Sequence, residues 1–145
     1  MMKRILLSTI AFSAIMMADL SRSNAGVVTD STTGLQWQDD YSDNGGNIKS
    51  ATWQDAIDYC EALSLDGHED WRLPNIRELN SIVDLGHAHP SIDPAFQHTA
   101  TDVYWSSSTY EDDHGHAWYV YFDDGYLYTY YKDGSLYVRC VRPGE

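Results

Sequence analysis

Residues 105–142 read WSSSTYEDDHGHAWYVYFDDGYLYTYYKDGSLYVRCVR, and this stretch carries the most regular pattern of the chain. Side chains alternate in character from Ala117 to Phe122 and again from Tyr126 to Tyr130, with Asp-Asp-Gly between the two runs. Alternation of this kind is typical of short β-strands, and the Gly-containing turn predicts an antiparallel hairpin. A second turn, Lys-Asp-Gly at 132–134, predicts a third antiparallel strand over Leu136–Arg142.

The alternation also assigns a face to each side chain of the hairpin. The residues expected to point into the core are Trp118, Val120, Phe122 and Leu127. The tyrosines expected on the opposite face are Tyr119, Tyr121, Tyr126, Tyr128 and Tyr130. Tyrosine gives a large amphipathic contact area at a low cost in side-chain freedom, and antibody paratopes are rich in it.

This tyrosine-rich face is predicted to bind a partner, with nearby loop side chains at its rim. The expected rim residues are Tyr110, Asp112, His114 and His116. So many exposed aromatic side chains are unusual on a surface that has no partner. The alternative is a half-buried sheet whose aromatic residues pair across strands and stabilise the fold.

The first 25 residues have the organisation of a secretory signal peptide. Two basic residues precede a mainly apolar run from Ile5 to Ala18, and Ser23 and Ala25 are small residues of the kind that a signal peptidase reads. The run is shorter than the roughly 20 apolar residues of a membrane span. We therefore expect residues 26–145 to be exported as a single domain, periplasmic, secreted or at the cell surface, without membrane insertion.

The composition narrows the class of partner. The formal net charge of the chain is −13 at pH 7. Such a charge repels nucleic acid and anionic membranes at long range and favours cations, neutral sugars or a basic protein surface. The alternative is that the acidity only keeps an exported protein soluble. The expected partner is thus an unknown protein or glycan, and the oligomeric state is left open.

The only two cysteines of the sequence, Cys60 and Cys140, are expected to form a disulfide, because exported proteins fold in an oxidising compartment. In the chain-entropy description such a bond contributes roughly 4 kcal/mol. Cys60 lies on the apolar stripe of a helix predicted over Trp53–Leu63, with Thr52 as its N-terminal cap.

A second helix is predicted to begin after Asn75, with Glu78 completing a capping box, and to end near 84–86. Trp71, Arg72, Pro74 and Asn75 are expected to be structural, Trp71 by burial and Arg72 by hydrogen bonding. A strand is expected over Val27–Gln38.

No metal, cofactor or catalytic residue is predicted. The histidines could form two clusters, but neither has a ligand spacing that fixes the geometry of a metal site. They are His87, His89 and His98, and His114 and His116 beside Asp112 and Asp113. Asp40–Gly45 partly matches a calcium loop, yet Ala51 stands where the bidentate Glu belongs. Ser106–Ser108 have no nucleophile-elbow motif or triad spacing.

Several motifs spread over residues 26–145 resemble one family in combination. They are Gly34-Leu35-Gln36-Trp37, Asp70-Trp71-Arg72-Leu73-Pro74-Asn75, Ile92-Asp93-Pro94-Ala95-Phe96, Tyr104-Trp105-Ser106-Ser107-Ser108 and Tyr137-Val138-Arg139-Cys140-Val141-Arg142. The chain resembles the DUF1566 family, also called the C-terminal domain of Legionella collagen-like protein. The resemblance implies an α+β, C-type-lectin-like fold with two helices packed on a small twisted antiparallel sheet, long loops and one disulfide.

The resemblance also implies a place at bacterial surfaces or among secreted proteins. Collagen-like members of the family act as adhesins for glycosaminoglycans, whereas this chain is acidic and has no Gly-X-Y segment. The sugar-binding motifs of true C-type lectins, Glu-Pro-Asn and Trp-Asn-Asp, are also absent from the sequence. The last forty residues are similar to the variable regions of proteins that retroelements diversify by mutating adenines. Ordinary drift on a solvent-exposed face is the alternative to diversification.

The function expected from the sequence is a surface-exposed binding module that recognises a protein or glycan, and not an enzyme. The alternatives are a structural component of the cell envelope and, from a different class, a hydrolase or oxidase. An enzyme would need a nucleophile, a base and an orienting group brought together in space.

Overall fold

The computed structural model describes residues 19–144 as an α+β fold with two sheets and two helices. The first sheet has four strands in the order β1-β2-β3-β9. These strands are β1 (Leu20–Arg22), β2 (Val27–Asp30), β3 (Leu35–Gln38) and β9 (Val141–Pro143). Neighbours within this sheet are antiparallel.

The second sheet has five strands in the order β4-β8-β5-β6-β7. They are β4 (Ser50–Ala51), β5 (Val103–Thr109), β6 (His116–Tyr121), β7 (Tyr126–Tyr131) and β8 (Leu136–Tyr137). The helices are α1 (Trp53–Ala62) and α2 (Ile76–Ser81). The predicted α+β class, with two helices and antiparallel strands, is confirmed.

Helix α1 forms as its sequence predicts. The Thr52 side chain accepts a hydrogen bond from the Asp55 amide at 3.4 Å, which caps the first turn. Ala56 and Cys60 are buried on the predicted apolar stripe. Cys60 is disulfide-bonded to Cys140, with 5.5 Å between the two Cα atoms. The predicted disulfide is therefore confirmed, and it ties α1 to the C-terminal part of the chain.

Helix α2 begins as predicted but ends earlier. Asn75 and Glu78 form a capping box, in which each side chain accepts a hydrogen bond from the other residue's amide. The helix ends at Ser81 and not near 84–86, because the following chain turns into extended pairing. Val83 forms a β-bridge with Ile92, and the Asp84 amide donates to the Ser91 carbonyl at 2.9 Å.

The connection between the helices is held by two of the predicted structural residues, Trp71 and Arg72. Trp71 is only 2% exposed, and its indole Nε1 donates to the His68 carbonyl at 3.1 Å. The Arg72 guanidinium donates to both carboxylate oxygens of Glu78 at 2.7 Å. This bidentate pair fixes the entry to α2, so both predictions are confirmed.

The predicted third hairpin strand, Leu136–Arg142, is wrong as a single strand. Its first part, β8, pairs antiparallel with β4 and parallel with β5, while β9 joins the four-stranded sheet. The intervening Val138, Arg139 and Cys140 are completely buried. No strand therefore pairs with the outer side of β7 within residues 19–144.

Both faces of the five-stranded sheet are covered at its middle strand, β5. Tyr104 and Trp105 are adjacent, so they point to opposite faces, and both are fully buried. Trp105 belongs to a core that contains α1 and the disulfide, whereas Tyr104 packs in a second core with α2. The five-stranded sheet is thus a central layer, and its strand β7 extends beyond the part that is covered on both faces.

The start of the described chain adds a strand within the predicted signal peptide. Residues 1–18 lie outside the described residues, but β1 pairs with β2. Arg22 Nε also lies 2.6 Å from Asp39 Oδ2. The predicted Val27–Gln38 strand is a hairpin of β2 and β3, and cleavage after Ala25 remains a prediction. Within residues 19–144, no helix is long and apolar enough to cross a membrane.

Candidate functional site

Five tyrosines predicted to bind a partner share one face of the β6–β7 hairpin. The register places Tyr119 opposite Tyr128, Tyr121 opposite Tyr126, and Ala117 opposite Tyr130. Residues directly opposite in an antiparallel pair point to the same side of the sheet. We call Tyr119, Tyr121, Tyr126, Tyr128 and Tyr130 the tyrosine face.

The β7 half of the tyrosine face is open to solvent. Tyr126, Tyr128 and Tyr130 are 63%, 45% and 43% exposed. The β6 half is less open, because Tyr119 packs against the first core and Ala117 is completely buried. Truncation of Tyr119 is therefore expected to reduce stability as well as binding.

The rings of the tyrosine face support one another. The ring centroid of Tyr119 lies 5.8 Å from that of Tyr128 and 6.4 Å from that of Tyr130. The ring of Tyr130 also lies 6.5 Å from the buried ring of Trp105. Aromatic pairs at such distances attract each other. These contacts restrain the rings that take part in them, which reduces the side-chain entropy lost on binding.

A lysine borders the tyrosine face but is held by its neighbours. The Lys132 ammonium lies 3.9 Å from the centroid of the Trp53 ring and donates to Thr109 Oγ1 at 2.9 Å. The indole of Trp53 is itself fixed, because Nε1 donates to the Ser106 carbonyl at 2.9 Å. The cation–π contact joins the end of β7 to helix α1.

The hydroxyl groups of the β6 tyrosines remain protonated at neutral pH. Burial raises the pKa of Tyr119, with the neighbouring Tyr128 adding to the effect. The charge of Asp123 raises the pKa of Tyr121. A neutral phenol can both donate and accept a hydrogen bond, which suits amide and sugar hydroxyl groups alike.

The expected rim residues do not surround the tyrosine face. The Tyr110 ring packs edge-on against Trp118 with centroids 5.4 Å apart, and its hydroxyl donates to Asp112 at 3.1 Å. The His116 ring lies 4.2 Å from that of Tyr131, and both rings are on the side of the sheet opposite the tyrosine face. His114 is exposed in the connecting loop. Tyr110, Asp112 and His116 therefore lie on the side of the sheet that carries Trp118.

A cleft of about 410 Å³ lies on that opposite side. Its walls include Ile76 of α2, the Tyr110 and Trp118 rings, and the carboxyl-bearing residues Glu111 and Asp112. The cleft and the tyrosine face are separate candidate surfaces, because the sheet lies between them.

Two exposed residues of β7 were not predicted as part of a site. Tyr131 is 61% exposed, and Leu127 is 36% exposed although it lies opposite the buried Val120. Leu127 was expected in the core, but β7 extends past the elements that cover β6. The run YLYTYY at 126–131 is the sequence signal, because it is aromatic on both faces.

The histidines are dispersed, and two of those between α2 and β5, His87 and His89, each pair with a single acid. His87 Nδ1 lies 2.7 Å from Asp84, and His89 Nδ1 lies 2.5 Å from Asp123. Among residues 19–144, no three or more His, Cys, Asp or Glu side chains converge as metal ligands. In the calcium-like loop, the Asp40 carboxylate accepts from the Ser42 amide at 3.0 Å.

The serines named as possible nucleophiles make structural hydrogen bonds. Ser106 is buried, and its hydroxyl donates to the Trp118 carbonyl at 2.6 Å. The Ser108 hydroxyl accepts from the Ile76 amide at 3.0 Å, at the first turn of α2. These contacts connect β5 to β6 and to α2.

Comparison with known proteins identifies a family. A sequence model of the Lcl C-terminal domain matches residues 26–142, which is most of the chain. No curated protein matches. The match includes α1, α2, the disulfide and the whole β6–β7 hairpin. The chain therefore belongs to the Lcl C-terminal domain family.

Proposed function

We propose that this chain is an exported binding module that recognises a protein or glycan through the tyrosine face. The observation that carries the proposal is the exposure of Tyr126, Tyr128 and Tyr130, side by side on a strand at the end of a sheet. Membership of the Lcl C-terminal domain family supports a surface-associated module. The disulfide is consistent with export.

The physical properties of the face suit recognition. Interfaces concentrate their energy in a few central aromatic residues, each worth about 2 kcal/mol or more on truncation. Tyr128 holds the central position, between the rings of Tyr119 and Tyr126 at 5.8 and 6.5 Å. The negative charge of the chain favours a basic or neutral partner and disfavours a sulfated polymer.

The same face could tolerate sequence diversification. Val120 and Phe122 are completely buried, whereas the tyrosines of β7 are exposed. Substitutions at the exposed positions would alter the contact surface and leave the core unchanged. We propose this on the resemblance to retroelement-diversified proteins. A near-copy of the codons for residues 105–142, beside a reverse-transcriptase gene, would support it; a neighbourhood without such a copy would contradict it.

We propose no catalytic role. The engagement of Ser106 and Ser108 in backbone contacts supports this, because neither hydroxyl is paired with a histidine base. A serine-directed activity probe should leave the protein unlabelled. Covalent labelling of either serine would favour the hydrolase alternative.

The proposal is tested by screening the exported protein on protein and glycan arrays. Wild type should bind a defined partner, and Tyr128→Ser should lose that binding. Tyr110→Ser is the matched control, because it removes the same ring from the opposite side of the sheet. Loss with Tyr110→Ser and retention with Tyr128→Ser would place the site in the cleft. No binding on either array would favour the structural envelope role.

A further inference from the structure

We propose that the free edge of β7 binds an extended, positively charged polypeptide segment by strand addition. The inference rests on the proposed function, because the added strand would lie beside the tyrosine face and would specify how a protein partner engages it. Strand addition supplies affinity through backbone hydrogen bonds and specificity through alternate side chains.

The backbone geometry of β7 leaves an edge available. The Lys132 amide donates to the Gly115 carbonyl at 2.8 Å, one residue beyond the paired His116 and Tyr131, so a hydrogen-bonded position continues the β6–β7 register there. Hydrogen-bonded and non-hydrogen-bonded pairs alternate along an antiparallel ladder. Tyr128 therefore pairs its backbone with β6, whereas Leu127 and Thr129 direct their amide and carbonyl groups to the outer edge.

This edge lacks the usual protection against pairing. Proteins block free edges with Lys or Pro, with a bulge, or with a covering element. The strand YLYTYY contains no charged residue and no Pro, and its six residues pair with β6 in an unbroken register. The turn after β7 closes one end, because the Gly134 amide donates to the Tyr131 carbonyl at 3.0 Å.

The side chains of β7 would flank an added strand on both faces. Tyr126 and Tyr128 lie on the tyrosine face, and Leu127 and Tyr131 lie on the other, all of them exposed. Cross-strand neighbours of aromatic residues gain from packing against them. An incoming strand would thus find apolar contact on both sides, whichever way its side chains alternate.

The charges around β7 indicate which charge a segment that binds its edge should carry. Asp123 and Asp124 precede the strand, Asp123 with His89 Nδ1 2.5 Å from its carboxylate, and Asp133 follows it. Lys132 is engaged by the Trp53 ring. A basic segment would therefore meet acids at both ends of β7. A second copy of this chain would bring its own aspartates against these, because antiparallel pairing of two β7 strands places the start of one beside the end of the other.

The test uses the exported, disulfide-bonded protein and an end-blocked octapeptide of alternating lysine and valine. Its twin carries N-methyl groups on one central lysine and the adjacent valine, which blocks both edges of the peptide and keeps its charge. We expect the twin to bind at least about tenfold more weakly, because it cannot complete the backbone ladder. A peptide with glutamate in place of lysine should not bind.

The matching protein variants are Thr129→Pro and Thr129→Val. Proline removes the outward amide and is tolerated on a strand edge, whereas valine keeps the amide and the β-branched shape. Thr129→Pro should reduce peptide affinity at least about tenfold, and Thr129→Val should leave it unchanged. If Thr129→Pro fails to fold, the N-methylated twin against wild type decides the question.

Three results would overturn the inference: equal binding of the two peptides, failure of the lysine–valine peptide to bind, or a dimer of the protein alone that Thr129→Pro dissociates. Failure of strand addition is distinguishable from failure of the proposed function. A Thr129→Pro variant that binds the array partner normally, while Tyr128→Ser does not, refutes strand addition and leaves the tyrosine face as the site. Normal binding by both variants refutes both proposals.

Discussion

Replacement of Asp39 by alanine tests how the two sheets are held together. Its carboxylate is completely buried and accepts from Arg22 Nε at 2.6 Å, the Gln97 amide at 2.9 Å, the His98 amide at 3.0 Å and Arg139 Nη1 at 3.2 Å. One side chain thus joins the loop before β5 to the segment between β8 and β9, and these contacts remain in a protein that begins at Gly26, whereas the contact with Arg22 of β1 does not.

The size of the expected destabilisation follows from the groups that lose the Asp39 carboxylate as their partner. Arg139 is fully buried, and its guanidinium lies 4.5 Å from the centroid of the Phe96 ring. Removing one partner of a buried ion pair costs about 3–5 kcal/mol, since the other charge stays uncompensated. The two loop amides lose their acceptor as well. We expect Asp39→Ala to lower the free energy of unfolding by at least about 4 kcal/mol.

Urea unfolding of the oxidised protein at pH 7 measures this loss. The matched double variant Asp39→Ala/Arg139→Met removes both charges, so it should be more stable than the sum of the two single losses predicts, by about 2 kcal/mol or more. A cost below about 1 kcal/mol for Asp39→Ala would refute the reasoning. Simple additivity of the two substitutions would also refute it.

Three further predictions concern the framework around the site. The intact mass of the exported protein should rise by two hydrogens on reduction, and two free thiols at Cys60 and Cys140 before reduction would contradict the disulfide. The same mass should show that the exported protein begins at Gly26. Trp71→Ala should lower the free energy of unfolding by about 3–5 kcal/mol, because the ring is buried, and a near-neutral result in urea unfolding would contradict its structural role. The hydrogen bonds from Arg72 to Glu78 lower the pKa of that carboxyl. The stability that the Glu78 carboxylate contributes is therefore present above its unfolded pKa of about 4.3 and is lost as the pH falls through the lower, folded pKa. In thermal unfolding, Glu78→Gln should lose stability less steeply than wild type between pH 4 and pH 2, and parallel profiles would contradict this linkage.

Local signals predicted where the helices begin, whereas the disulfide was predicted from the presence of two cysteines in an exported chain. The capping box of Asn75 and Glu78 and the stripe that contains Cys60 are encoded within a few residues, so their outcome depends little on the rest of the fold. The end of α2 could not be read in this way. It depends on the bridge between Val83 and Ile92, which only the folded chain brings together.

Alternation predicted which side chains of β6 and β7 share a face, but it could not predict what covers each face. Tyr119 is half-buried and Leu127 is exposed, because coverage depends on where the helices end. The placement of β7 at the sheet edge follows from the division of the last segment around Arg139. The division depends on contacts between residues that are far apart in the sequence, so the periodicity of residues 136–142 does not predict it.

The affinity of Tyr128→Ser for the array partner, measured with its melting temperature, tests the central claim most directly. Tyr128 is exposed and central to the tyrosine face, whereas Phe122 is completely buried in the adjacent core. We predict a loss of affinity of about thirtyfold or more for Tyr128→Ser, with a melting temperature close to that of wild type, and an unfolded domain for Phe122→Ser. Unchanged affinity of Tyr128→Ser, or a loss of stability as large as that of Phe122→Ser, would contradict the claim that the tyrosine face is a binding surface.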